Sequence, residues 1–268
     1  MRRDFAIVIP ARYASTRFPG KPLARLKGAG GIEKSLIQRS WECAQEVPDC
    51  VGVWVATDDE RIAAEVSRFG GKVVMTSPNC RNGTERCADA VRQLPELPDI
   101  IVNLQGDAPL TPTMAIPGLV DRLASDDQAA MVTPAVRCSS QTYAHLCADE
   151  AAGRVGGTTV VFDQSGRALY FSKRILPYIP APSAVDANAF VHLHLGIYAY
   201  RQSHLMAYAS AAPSKLELIE GLEQLRFLEL GLQVGIMTME SPGWEPVELN
   251  NPSDVQIIEK VLLSREIS

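Results

Sequence analysis

From residue 6 to residue 136 the sequence alternates short β-rich runs with longer helical patterns, and this alternation limits the fold more than any other feature. Residues 6–9, 51–56, 72–75, 100–104 and 131–136 read as strands, and residues 32–47, 59–68, 84–94 and 113–124 as helices. The run Ala6-Ile7-Val8-Ile9 has no polar side, the pattern of a strand covered on both faces. Together these predict an α/β fold, a mainly parallel sheet with helices on both sides. Ligands in such sheets sit beyond the carboxyl ends of the strands. The loop after Ile9, the pair Thr57-Asp58, the segment around Arg86 and the tripeptide Gln105-Gly106-Asp107 therefore belong on or near one rim. Thr57 and Glu60 have the spacing of a capping box, which puts Thr57 and Asp58 where a strand hands over to a helix.

After about residue 150 the pattern changes. Residues 158–162 and 167–172 flank Asp163-Gln164-Ser165-Gly166 and read as a β-hairpin, and residues 177–182 form a proline-interrupted connection. A strand over 193–201, a helix over 216–230 entered through a Ser214/Glu217 capping box, and a strand over 234–239 complete a smaller α+β lobe. A last helix is expected to start at Pro252 with Asn251 as N-cap. The organisation reads as one domain with a core over 1–150, a lobe over 151–250 and a C-terminal helix over 251–268.

At 268 residues and 46% hydrophobic content the chain can bury a sizeable core, while its net charge of −5 argues against a general nucleic-acid or anionic-membrane binder. An anionic ligand must then be captured locally. Arg12, Arg17 and Lys21 stand within one loop, with Ser15, Thr16 and a Pro19-Gly20 turn, so that cations and backbone N–H groups can converge on phosphate oxygens. Counted by charge alone the loop is equally a solvated basic turn. The cysteines never reach C-x-x-C spacing and read as free thiols of a reducing cytosol. The apolar stretch after Met1-Arg2-Arg3 is broken by Arg12 before a signal-peptide h-region forms, and no stretch is long enough for a membrane span, so a soluble, cytoplasmic protein is expected.

Asp107 follows a buried run and a glycine, which suits either a carboxylate facing a metal or a turn cap. The Gln105 amide can read hydroxyls or base edges. His194 and Tyr198, four apart on an expected strand, share a face, and on its own His194 reads as a satisfied structural histidine.

The string from Pro10 to Leu23 resembles the N-terminal signature of the CMP-KDO synthetases, the cytidylyltransferases that activate 3-deoxy-manno-octulosonate (KDO), whose pattern is close to PARxxSxRxPGKxL. Further pieces match in the same order: Val55-Ala56-Thr57-Asp58-Asp59, Asn82-Gly83-Thr84-Glu85-Arg86, Val102 to Asp107, Ala168 to Ser172, His194 to Tyr198 and Leu222 to Arg226. The resemblance implies a Rossmann-like sheet of the nucleotide-diphospho-sugar transferase type and magnesium-dependent transfer of CMP from CTP to KDO, for lipopolysaccharide or capsule synthesis. It implies catalytic roles for Arg17, Lys21 and Asp107. Pro10, Ala11, Arg12, Ser15, Arg17, Lys21, Thr57, Asp58, Asn82, Gly83, Arg86, Gln105 and Gly106 would bind the nucleotide. Gln105, His194, Tyr198, Glu223 and Gln224 would bind the acceptor, Asp107 and Asn250 the metal, and a homodimer is the family expectation. Arg154, Lys173 and Arg174 are looser candidates for the acceptor's carboxylate.

The sequence also departs from the family. Asn250 stands where relatives carry a metal-binding aspartate, with Glu248 as a possible compensation, and Ala108 replaces the usual glutamate after Gln-Gly-Asp. A mere turn role for Asn250 beside an Asn251 cap is as consistent as ligation. These departures leave room for a different acidic acceptor, a modified octulosonate or a phosphonate, or for a non-catalytic nucleotide-binding paralogue.

Overall fold

The computed structural model describes residues 4–14, 18–94, 96, 98–180, 187–244 and 246–268, so Ser15 and Arg17 of the cationic loop lie outside the described residues. The chain divides into two compact units, one made of Met1–Pro117 with Pro242–Ser268 and the other of Gly118–Ser241.

The first unit is built on β1 (Phe5–Ala11), whose every residue is buried, as its unbroken apolar run requires. After β1 come a 3-10 turn at Lys21–Leu23, the short strands β2 (Arg25–Lys27) and β3 (Glu33–Ser35), and helix α1 (Leu36–Gln45). They are followed by β4 (Cys50–Thr57), α2 (Glu60–Arg68), β5 (Lys72–Met75), α3 (Gly83–Gln93) and β6 (Ile100–Leu104). Strand β1 pairs in parallel with β4 on one side and β6 on the other, with Ile7 opposite Val53 and Val102, and β5 adds to β4. The parallel order β5-β4-β1-β6 is the sheet that the alternation predicts, and the fold is α/β.

Two helix starts in this unit differ from expectation. The pattern over 32–47 begins with the second strand of a β-hairpin: β3 pairs antiparallel with β2, and α1 begins only at Leu36, where the Ser35 hydroxyl accepts the Gln38 N–H. At α2 the cap is Asp59, which accepts the Arg61 N–H at 2.9 Å, while the Thr57 hydroxyl accepts the Asp59 N–H.

The second unit contains α4 (Ala115–Ser125) from Gly118 onward, β7 (Ala129–Arg137), α5 (Ser140–Ala151), the hairpin β8 (Thr159–Phe162) and β9 (Ala168–Ser172), β10 (His192–His194) and β11 (Ile197–Arg201). It ends with α6 (Gln202–Ser210), α7 (Lys215–Glu220), α8 (Leu225–Glu229) and β12 (Gln233–Met239). Strand β7 pairs antiparallel with β10 and β11 and parallel with β12. The single strand expected over 193–201 is two, interrupted at Leu195-Gly196. The helix expected over 216–230 is likewise two, because Gly221 ends α7 in the left-handed region at φ 63°. The Glu217 carboxylate does accept the Ser214 N–H, the backbone half of the expected capping box.

The chain closes with α9 (Asp254–Ser264), which belongs to the first unit. It starts two residues later than expected and Asn251 is not its cap: Ser253 holds that position, and the Asp254 carboxylate accepts the N–H groups of Asn250 and Asn251 at 2.9 and 2.7 Å. Ile258 and Leu262 of α9 pack in a core cluster with Leu26, Leu36, Leu110 and Leu249.

Candidate active site

The carboxyl ends of β1, β4 and β6 carry most of the residues singled out in the sequence. Strand β6 ends at Leu104, and Gln105-Gly106-Asp107 turn immediately beyond it. A side-chain carbon at Gly106 would lie 2.7 Å from the carbonyl oxygen of Pro10, so only glycine lets this turn close on the end of β1. Gly83 opens α3 beside the same point: a side-chain carbon there would come within 3.3 Å of the Pro10 ring and 3.4 Å of the Gln105 amide. Pro10, Gly83, Gln105 and Gly106 are therefore neighbours. The Gln105 amide also donates to Asn103 at 3.4 Å.

Lys21 and Asp107 form the central contact. The lysine sits in the 3-10 turn that follows the cationic loop, and its ammonium donates to the Asp107 carboxylate at 2.5 Å. Both side chains keep some solvent contact, 14% for Lys21 and 24% for Asp107. The two groups are thus desolvated enough to attract strongly yet reachable by a ligand. Arg12 is exposed, whereas Tyr13 is half-buried under the guanidinium of Arg61, which lies 3.3 Å from its ring centre.

Arg86, in the first turn of α3, is buried rather than exposed. Its guanidinium donates to the Thr76 hydroxyl at 2.6 Å and stands 3.2 Å from the Asp58 carboxylate at the end of β4. Asn82 caps α3 by accepting the Glu85 N–H at 2.9 Å. Arg86 thereby ties the start of α3 to the ends of β4 and β5.

The segment 248–250 runs alongside Asp107, because the Leu249 N–H donates to the Asp107 carbonyl at 2.8 Å. The Asn250 amide nitrogen donates to Glu248 at 3.4 Å. The Asp107 turn and the segment 248–250 are thus backbone neighbours, and the carboxylate and amide oxygens of Asp107, Glu248 and Asn250 are of the hard kind that magnesium takes. Among the described residues no group of three His, Cys, Asp or Glu side chains forms a metal cage. An ion here would lean on few protein oxygens, as magnesium does when phosphates and water complete its shell.

Apart from Gln105, the residues expected to meet the acceptor lie in the second unit. His194 is buried, bonds through Nε2 to the Thr133 hydroxyl at 2.9 Å, and has its pKa pushed down to about 3 by desolvation. Its ring stands edge-on to Phe171 and 5.5 Å from that of Tyr198, so the two residues do meet although the strand between them breaks. Gln224 is buried at the joint before α8, and among the described residues its Nε2 has no hydrogen-bond partner. Glu223 beside it is half-buried. Arg154 and Arg174 are exposed and held by Asp149 and Glu150 of α5, a helix that the sequence reading did not assign, while the Lys173 backbone is tied to Glu220.

Sequence reasoning missed Arg226. It is fully buried, grips Glu217 through Nε at 2.6 Å and Nη2 at 2.5 Å, and stacks 4.0 Å from the centre of the Tyr208 ring. Its place in the Leu222 to Arg226 motif was visible, but not its burial.

With this geometry in place, the chain can be compared with known proteins. A family model described as cytidylyltransferase matches residues 6–236. The 3-deoxy-manno-octulosonate cytidylyltransferase of Maricaulis maris (strain MCS10) is 43% identical over 255 residues, covering 95% of each chain. This chain belongs to the 3-deoxy-manno-octulosonate cytidylyltransferase family. The protein of that name from Vibrio parahaemolyticus (serotype O3:K6) is 40% identical over 98% of this chain and 99% of its own. Among solved structures, a CMP:2-keto-3-deoxy-manno-octonic acid synthetase complexed with CTP superposes with a TM-score of 0.81 at 31% identity, covering 98% of this chain and 100% of that one. Membership of this family accounts for the motifs gathered at the ends of β1, β4 and β6.

Proposed function

We propose that this protein transfers CMP from CTP to the anomeric hydroxyl of KDO and releases pyrophosphate. The observation that carries the reading is the Lys21–Asp107 pair at the strand ends, a cation for phosphate and a carboxylate for metal held 2.5 Å apart within one rim. It is supported by family membership, by relatives named for this reaction, and by similarity to a synthetase solved with CTP.

The chemistry needs no nucleophile from the protein, since the sugar hydroxyl attacks the α-phosphorus in line. Lys21 and, by family resemblance, Arg12 and Arg17 neutralise the triphosphate oxygens as charge moves onto pyrophosphate. Gln105, beside Pro10 and Gly83, is the proposed contact for nucleotide or sugar hydroxyls. Buried Arg86 holds Asp58 and so fixes the outer side of the rim. Magnesium, held by Asp107 with Asn250 and Glu248, would supply Lewis-acid polarisation of the phosphoryl oxygens when bound. In the second unit, Glu223, Gln224 and Tyr198 are the proposed acceptor contacts, and His194 packs against Tyr198 as a neutral ring. No helix among the described residues is long and apolar enough to cross a membrane. Action in the cytoplasm, as a homodimer, on the path to lipopolysaccharide or capsule is part of this proposal.

The test is a pyrophosphate-release assay across CTP, UTP, ATP and GTP against KDO and a panel of other acidic sugars and phosphonates, with the product identified by mass. CTP with KDO is expected to be the preferred pair. Faster turnover of another acid would transfer the reading to that acceptor, and no turnover with any pair would leave only nucleotide binding.

A further inference from the structure

We infer that Asp254, at the first position of α9, is a positioning residue for the oxygen donors beside Asp107, an inference that rests on the metal role given to Asp107 above. The Asp254 carboxylate is the common acceptor of two consecutive backbone N–H groups, those of Asn250 at 2.9 Å and Asn251 at 2.7 Å. One residue earlier, the Leu249 N–H donates to the Asp107 carbonyl at 2.8 Å and the Leu249 side chain is fully buried. The backbone from 249 to 251 is thus held on one side by the turn that carries Asp107 and on the other by Asp254. Asn250 lies within this held stretch and Glu248 directly before it, so the backbone that carries both is anchored by these bonds.

The middle of α9 and the residues that follow it are fastened to the hairpin after the Lys21 turn. The Ala29 N–H donates to the Ile267 carbonyl at 2.7 Å, the Lys34 ammonium to that of Ser268 at 2.7 Å, and the Lys27 N–H to Glu259 at 2.8 Å. All three donors lie on or between β2 and β3, the hairpin that leads directly out of the Lys21 turn. Arg265 stacks 3.6 Å from the centre of the Trp244 ring, and the Trp244 indole donates to the Leu110 carbonyl three residues after Asp107. The C-terminal helix therefore braces the Lys21 side and the Asp107 side together, with Asp254 as the contact nearest the donors. Groups that orient ligands in this way commonly govern metal affinity by about tenfold or more when removed.

The experiment uses the full chain with Asp254→Ala, Asp254→Asn and Asp107→Asn, each titrated with magnesium by calorimetry in the presence of a CTP analogue with a non-cleavable α–β bridge, alongside turnover and thermal midpoint. Asp254→Ala is expected to raise the magnesium dissociation constant and the half-saturating magnesium by about tenfold, with turnover recovering at high magnesium. Asp254→Asn, which keeps an acceptor for both N–H groups, is expected to stay near wild type, and it also serves if the alanine variant folds poorly. An unchanged magnesium constant in Asp254→Ala, with only a lowered thermal midpoint, would reduce Asp254 to a helix cap and overturn the inference. An unchanged magnesium constant in Asp107→Asn would instead remove the metal site itself, so the two failures are distinguishable.

Discussion

The molecule holds two ion pairs that sequence alone would not separate, Lys21–Asp107 in the first unit and Arg226–Glu217 in the second. Among the described residues the first is one contact, between groups that both see some solvent. The second is fully withdrawn: the Arg226 side chain is 0% exposed, meets Glu217 with two nitrogens, stacks on Tyr208 and donates to backbone carbonyls. A buried, multiply bonded pair cannot exchange partners without leaving a desolvated charge behind. A partly solvated contact can. The comparison assigns chemistry to the first pair and architecture to the second, and variants can break or sharpen it.

The largest expected effect is that of Asp107→Asn, which lowers turnover by about a thousandfold while its thermal midpoint falls much less than that of Arg226→Ala, since a partly exposed pair is worth less than a fully buried one. Arg226→Ala reverses the signature: breaking a buried pair from one side destabilises by about 3–5 kcal/mol, readable by denaturant unfolding. Lys21→Ala comes next, with turnover down about a hundredfold and denaturant stability nearly unchanged. A Lys21→Ala enzyme that lost stability as Arg226→Ala does would erase the distinction between the pairs.

A smaller effect follows from His194, whose pKa burial depresses from 6.5 to about 3. A depressed histidine pKa means that the unfolded chain takes up this proton first, so the neutral ring's contribution is intact above pH 6.5 and is lost progressively as pH falls toward 3. Replacing His194 with Asn should flatten the acid limb of the stability profile in that window by up to about 1.4 kcal/mol per pH unit, as measured by chemical denaturation at stepped pH. The smallest expected change is in Asn250→Asp, where an added carboxylate should lower the half-saturating magnesium by about a few-fold.

The parallel sheet of the first unit was legible because β1, β4 and β6 are apolar runs set apart by helical periods, a local pattern. Some of the misreadings come from contacts beyond the local pattern and others from local signals passed over. The β2–β3 hairpin lies within what looks like the approach to a helix, but Arg39 on α1 donates to the Leu26 and Ile32 carbonyls and ties both arms of the hairpin to the helix. The break between His194 and Ile197 is fixed by Thr133, whose hydroxyl donates to the Ile197 carbonyl at 2.7 Å from another strand. Gly221 offered a readable signal, since a glycine inside a helical period is a common C-terminal cap. At the site, family motifs identified Lys21 and Asp107 separately, yet their pairing joins residues 86 positions apart and only the fold displays it. The Asp254 contacts were hidden by a closer candidate, Asn251, with the composition of a cap.

The central claim is that the Lys21–Asp107 rim transfers CMP from CTP to KDO. Its most direct measurement is pyrophosphate released per enzyme from CTP, KDO and magnesium, with wild type and Asp107→Asn assayed side by side at matched folded concentration. The account predicts multiple turnovers and a product of the mass of CMP-KDO for the wild type, with the variant about a thousandfold slower. Equal rates in the two proteins, or wild-type release no faster than without KDO, would contradict it.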